Sequence, residues 1–178
     1  MDYNPETLEI SIAYKAVGSW TKNFSALAGS SEQTVYLDGP YGIFTSDVKH
    51  IDIPIVCTAS GIWITPFHKL IENHSPNKDI RLIYLNTSRG NVSYKTVLEK
   101  HLGNKCFHVL SCERNATQIT ETVGTRLNSE ILREKKWPIL HTAHFYVCAW
   151  WDVIQPVASI LWDLWVKKTH IDWEPFSM

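Results

Sequence analysis

The chain has 178 residues, 44% of them hydrophobic, which is enough to bury one ordinary core, and no apolar run approaches the length of about 18 residues that crosses a bilayer. With 17 basic and 18 acidic side chains scattered along it the net charge is -1, so neither a nucleic-acid grip nor electrostatic attachment to a membrane surface is indicated. The four cysteines, Cys57, Cys106, Cys112 and Cys148, lie in or beside apolar runs without paired ligand spacing, which argues against a metal site or a disulfide framework and fits reduced thiols in a cytoplasmic setting.

The opening residues, MDYNPETLEI, lack the basic-then-apolar pattern of a secretory leader, so the Asn-x-Ser/Thr triplets at Asn23, Asn73, Asn86, Asn91 and Asn115 carry little weight as glycosylation sites. From Leu8 to Tyr14 the side chains Leu8, Ile10, Ile12 and Tyr14 alternate with more polar ones, the period of a strand with one buried face. A short helix over Lys22–Leu27 and a second strand over Thr34–Leu37 are expected next, and Asp38-Gly39-Pro40-Tyr41-Gly42 then turns the chain.

The stretch Pro54–Phe67 reads as strand, tight turn and helix start in succession. Ile55, Val56 and Cys57 make a short apolar run suited to a strand buried on both faces, and Ser60-Gly61 breaks it. Thr65 stands where an N-cap belongs, with Pro66 at the first helical position. Such a helix aims unpaired N–H groups at the turn and favours an anion there, most often a nucleotide phosphate.

Beyond this turn, strand and helix alternate, the pattern of a parallel sheet with helices on both faces. Strands are expected at Leu82–Leu85, Phe107–Leu110 and Tyr146–Cys148, and helices at Val92–Leu102, Asn128–Lys135 and Trp151–Val166. In such sheets ligands bind outside the carboxyl ends of the strands, where strand order reverses. The fold class is thus α/β, a doubly wound parallel sheet.

The motifs resemble those of the ferredoxin-NADP reductase superfamily, more closely its ferric-reductase and NADPH-oxidase branch. Ser60-Gly61-Ile62-Trp63-Ile64-Thr65-Pro66-Phe67 is similar to the family's Gly-Gly-x-Gly-Ile-Thr-Pro-Phe turn, with Ser60 and Trp63 in place of two glycines. Upstream, Gly18-Ser19-Trp20-Thr21 and Gly39-Pro40-Tyr41-Gly42 resemble segments of the flavin barrel. Downstream, Ile80–Arg89, Val109–Ser111, Gly124–Asn128 and Tyr146–Trp150 follow in family order. The closing Ile171–Phe176 matches the family's last strand, so the carboxyl terminus is expected to be the natural one. The family's strand bearing Arg-x-Tyr-Ser or His-Pro-Phe-Ser has no counterpart here, which leaves a partial antiparallel β-barrel over residues 1–50 before a nucleotide-binding domain over 51–178.

The resemblance implies two cofactors. FAD would lie against Gly18, Thr21 and the turn Gly39, Pro40, Tyr41 and Gly42, with Phe176 able to stack on its ring. A nicotinamide nucleotide, NAD(P)H, would bind at Gly61 and Thr65, with Arg89 near the adenosine ribose or its phosphate and Ser111 and Arg114 near a 2′-phosphate. Glu113 places a negative charge there, which argues for NADH over NADPH or for neither. Cys148 would stand by the hydride path. From the residues alone, Arg89 is equally a solvated arginine at a helix start and Cys148 a packed thiol. The eight tryptophans serve either as stacking surfaces or as bulk in a core or subunit contact. The implied function is an NAD(P)H-dependent flavin oxidoreductase module, ferric-reductase-like, with a second chain completing the barrel or accepting electrons. The alternative is a non-catalytic relative with a structural or protein-interaction role, in which Trp63 and Trp150 fill the space of a dinucleotide pyrophosphate.

Overall fold

The computed structural model describes residues 2–4, 6–7, 9–27, 36, 38, 43–134 and 139–176. It divides into two compact units, residues 1–43 and 44–178. In the first, β1 (Asp2–Asn4) pairs antiparallel with β2 (Glu9–Ser11), and α1 spans Ser19–Leu27. The expected strand over 8–14 is thus three residues long, and its side chains are exposed. The helix starts three residues earlier than expected, because the Thr21 hydroxyl bonds the N–H groups of Val17 and Gly18 and closes the turn before it. The strand expected over Thr34–Leu37 and the turn at Gly39–Gly42 lie outside the described residues, apart from Tyr36.

The second unit holds a sheet of six strands, all parallel, in the order β6-β5-β4-β3-β7-β8. Its strands are β3 (Ile55–Ser60), β4 (Ile80–Asn86), β5 (Cys106–Leu110), β6 (Glu121–Val123), β7 (His144–Trp150) and β8 (Ile171–Phe176). The helices are α2 (Thr65–His74), α3 (Lys95–Leu102), α4 (Ser129–Glu134) and α5 (Trp151–Asp163). Strand side chains alternate between two cores, as the pleat requires. Ile55, Cys57, Ala59, Leu82, Tyr84, Tyr146 and Cys148 pack with Phe67, Leu70 and Ile71 of α2 and Leu98 and Leu102 of α3. Val56, Ile83, Phe107, Val109, Phe145 and Val147 pack on the other face with Ile131 and Leu132 of α4 and Ile154, Val157 and Leu161 of α5. This is the doubly wound architecture read from the sequence.

Several element ends differ from expectation, each for a local reason. Tyr94 sits in the left-handed region at φ 57°, so the helix expected from Val92 starts only at Lys95. Asn128 caps α4 as its residue type suggests, its Oδ1 accepting the Ile131 N–H at 2.9 Å. The last helix ends at Asp163 instead of Val166. Its exit is a Schellman turn in which Val166 N–H bonds the Leu161 carbonyl at 3.0 Å and Trp165 N–H bonds the Trp162 carbonyl at 2.9 Å. The residue in the left-handed position of that turn is Trp165, at φ 61°, where glycine is the usual choice.

Candidate functional site

From β3 the chain winds outward through β4, β5 and β6, then returns to the other side of β3 with β7 and β8. Strand order therefore reverses between β3 and β7, and the crevice beyond their carboxyl ends is where an α/β sheet of this kind binds a ligand. Gly61 leaves the end of β3 here, and Cys148, Ala149 and Trp150 end β7.

Gly61 has a positive φ of 56°, and nothing lies within 4 Å of where a Cβ would stand. The backbone is thus open to close approach at this point. Its carbonyl accepts a hydrogen bond from the Tyr84 hydroxyl at 2.9 Å, and that same hydroxyl accepts the Ser93 N–H at 3.3 Å. Burial pushes the Tyr84 hydroxyl above its ordinary pKa, so it stays a donor and pins the turn from the neighbouring strand. Sequence reasoning took Tyr84 as part of a strand motif and missed this anchoring role.

Thr65 is not the N-cap that the Thr-Pro pair suggests. A 3-10 turn over Gly61–Ile64 runs directly into α2, so Thr65 is the first helical residue, at φ -55° and ψ -38°, and no side-chain cap bond is made. Its N–H is spent on the Ile62 carbonyl. The donors with no acceptor inside the helix are consequently those at the start of the 3-10 turn, close to Gly61.

Trp63 and Trp150 meet across this edge, with ring centroids 5.1 Å apart and planes at 89°, an edge-to-face contact. Both are partly buried, and Trp63 rests on the core shared with α2 and α3. Cys148 lies one pleat below Trp150 on the same face, fully buried, with its backbone in register with Ala59. Burial, reinforced by the Glu174 carboxylate, pushes its thiol up to about 12, so the neutral thiol predominates near pH 7.

The ends of β4 and β5 carry a second cluster. Arg89 Nη1 bonds Glu113 Oε2 at 2.9 Å, and Nη2 bonds Glu121 Oε2 at 2.7 Å. Its Nε also reaches Glu121 at 3.0 Å and Thr117 at 3.1 Å, and the Asn115 carbonyl accepts from Nη2. Glu113 additionally accepts the Arg89 backbone N–H at 3.0 Å, at the start of the 3-10 turn Arg89–Asn91. A carboxylate therefore already holds both the charge and the backbone donor that a phosphate would use. The Arg89 guanidinium, through its hydrogen bonds, holds the Glu121 carboxyl down at about 2. Glu121 and the strand β6 that carries it were not read from the sequence, since three residues with polar neighbours give no usable period.

Of the other expected site residues, Ser111 donates its N–H to the Asn86 carbonyl at 3.0 Å, continuing the β4–β5 ladder, and Arg114 is exposed. Gly18 and Thr21 belong to the first unit, where each hydrogen-bonds the other. The turn Gly39, Pro40, Tyr41 and Gly42 lies outside the described residues. Phe176 is the last residue of β8.

No family model and no curated protein matches the sequence. Solved structures match the fold throughout. The flavohemoglobin of Malassezia yamatoensis, solved with FAD and haem bound, superposes with a TM-score of 0.67 at 19% identity, covering 93% of this chain and 43% of that one. The cytochrome b5 reductase domain of Ulva prolifera nitrate reductase gives 0.63 at 18% identity, covering 88% of this chain and 64% of that one. The flavohem-like FAD/NAD-binding domain of nitric oxide dioxygenase from Vibrio cholerae gives 0.59 at 16%, covering 82% and 55%. The chain thus spans less than two thirds of each of these proteins. Together with the strand order, these matches show that the chain has the α/β fold found within these FAD/NAD-binding and reductase structures.

Proposed function

We propose that the chain is the nucleotide-binding module of an NAD(P)H-dependent flavin oxidoreductase, ferric-reductase-like in its motifs, that takes NADH in preference to NADPH. The observation that supports the reading most is Gly61, a positive-φ glycine with open space on its Cβ side, at the strand-order reversal and pinned by Tyr84. The open backbone there suits the pyrophosphate of a dinucleotide. Cys148, one strand over, is a neutral thiol beside the hydride path, where it packs and orients without reacting. Preference for NADH follows from Arg89. Its guanidinium is satisfied by Glu113 and Glu121, so a 2′-phosphate would meet two carboxylates where it needs a cation.

By the resemblance of their motifs, Gly18, Thr21 and the turn Gly39, Pro40, Tyr41 and Gly42 would hold the flavin. When bound, the flavin supplies hydride acceptance and onward electron transfer. This chain's own part is to hold the nucleotide, orient it and shield it from water. A second chain would complete the flavin barrel or take the electrons.

A second reading rests on the Trp63–Trp150 contact. An indole pair at 5.1 Å stands at the mouth of the crevice, and if it never parts the module serves as a structural or interaction partner without turnover. Calorimetric titration of the full chain with NADH, NADPH and FAD separately distinguishes the two. Saturable NADH binding, with hydride transfer once FAD is present, supports the reductase. Indifference to all three supports the interaction role.

A further inference from the structure

The geometry points to a divalent-cation site at the amino-terminal edge of the sheet, across the molecule's second unit from the nucleotide crevice, built from Asp47, His144 and Asp172. One donor atom from each of these residues lies within 4.8 Å of the other two. They come from three segments: Asp47 leads the 3-10 turn Val48–His50, His144 opens β7 and Asp172 is the second residue of β8. The parallel pairing of β7 with β8, which sets Tyr146 against Asp172, is what brings His144 and Asp172 to one edge.

The side chains are arranged as a metal site's would be. His144 is 8% exposed and forms the floor, its Nε2 2.7 Å from Asp172 Oδ2, while Asp47 and Asp172 are exposed and face solvent. Asp47 is oriented from behind by the Tyr146 hydroxyl, which donates to its Oδ1 at 2.5 Å and leaves the second oxygen available, the role an outer-shell donor plays for a ligating carboxylate. His170 packs beside His144 with ring centroids 6.2 Å apart, and its buried Nδ1 has no hydrogen-bond partner. Two carboxylates converge on one imidazole, so the cluster is anionic whether or not His144 carries a proton, and a dication offsets the charge.

The donor set decides the ion. One imidazole nitrogen with carboxylate oxygens suits a first-row dication such as zinc or manganese better than calcium or magnesium, which favour all-oxygen shells. Donors at about 2.0–2.2 Å from zinc lie roughly 3–3.5 Å from one another, so the two exposed aspartates need to move by little more than about 1 Å. The bound ion would tie β7 and β8 to the segment that leads into β3, and nothing in the proposed reductase chemistry depends on it.

The test is a calorimetric titration of the full chain, freed of metal with chelator, using zinc chloride, manganese chloride and calcium chloride in turn, with circular dichroism as the check on folding. One zinc or manganese ion per chain, much weaker calcium binding and a raised melting temperature with zinc are expected. Asp172→Asn, a change at an exposed side chain that leaves the fold intact, should weaken binding by about tenfold or more, and His144→Ala should abolish it. Cys112→Ser, at the exposed thiol, should change nothing. Absence of stoichiometric zinc and manganese binding overturns the site, and so does an affinity that Asp172→Asn leaves unchanged or that Cys112→Ser removes.

Discussion

Trp63 and Trp150 stand edge to face with ring centroids 5.1 Å apart, one from the turn after β3 and the other from the end of β7, and so bridge the two strands between which the sheet reverses its order. In the superfamily motifs that these turns resemble, small residues stand at both places. The same crevice thus contains an open glycine at 61 and a pair of large rings beside it. Whether the proposed nucleotide site works depends on that pair. Replacing it with Trp63→Gly, Ala149→Gly and Trp150→Pro should raise NADH affinity by about tenfold or more, equivalent to about 1.4 kcal/mol. The same change should lower stability by up to about 3 kcal/mol per indole. Calorimetry and urea denaturation read the two effects separately. Unchanged affinity in a folded variant would place the rings outside the nucleotide's path.

Arg89 gives a prediction about nucleotide choice. The double variant Glu113→Gln, Glu121→Gln removes both carboxylates and releases the guanidinium, so NADPH should gain on NADH by at least about tenfold. Competition between the two nucleotides measures this ratio. A ratio unmoved by the double change would separate Arg89 from the adenosine end of the site.

The same ion pair sets a pH dependence. The folded-state pKa of Glu121 is held at about 2, below the ordinary glutamate value, because its anion is hydrogen-bonded to Arg89. A depressed carboxylate contributes stability that is present above the unfolded-state pKa near 4.3 and is lost as pH falls from there toward about 2. The urea midpoint should therefore decline over this acid range, and Glu121→Gln should flatten the decline. A variant with the parent's acid profile would show that Glu121 is not paired in solution.

The thiols are predicted to react unequally. Cys57, Cys106 and Cys148 are buried, and burial raises the pKa of each, to about 12 for Cys106 and Cys148, while Cys112 is exposed. Under native conditions at pH 8 a maleimide or iodoacetamide should label Cys112 alone, and all four thiols should react in denaturant. Rapid native labelling at Cys148 would mean that β7 opens more readily than its packing implies.

Trp165 occupies the left-handed position of the α5 exit at φ 61°, with its side chain 85% exposed, so it bears the backbone cost without a full packing return. Trp165→Gly should stabilise the chain by about 1 kcal/mol, seen as a higher melting temperature. A lower one would mean that the indole covers more apolar surface than its exposure shows.

The fold was readable because the apolar runs at 55–57, 82–85, 107–110 and 146–148 are spaced by amphipathic segments, and every one of them became a parallel strand. The short strand β6 escaped notice since three residues cannot display a period. The N-cap assigned to Thr65 failed for a different reason. A Thr-Pro pair fits the first turn of a helix at more than one position, and the 3-10 turn that displaces it starts at Gly61, whose carbonyl accepts the Tyr84 hydroxyl from 23 residues away in sequence. The Trp63–Trp150 contact was legible only because the resemblance placed both residues at the strand ends. The pairing of Arg89 with Glu121, 32 residues apart, and that of Asp47 with Tyr146, 99 apart, were not legible, because nothing local in a sequence says which charges the sheet will bring together.

The most direct test of the account is titration of the unaltered full chain with NADH and NADPH, followed by calorimetry and by tryptophan fluorescence. The account predicts saturable NADH binding in the micromolar range, about -8 kcal/mol, with quenching of the indole pair and with NADPH at least about tenfold weaker. Absence of binding by either nucleotide would contradict it, and so would NADPH binding more tightly than NADH.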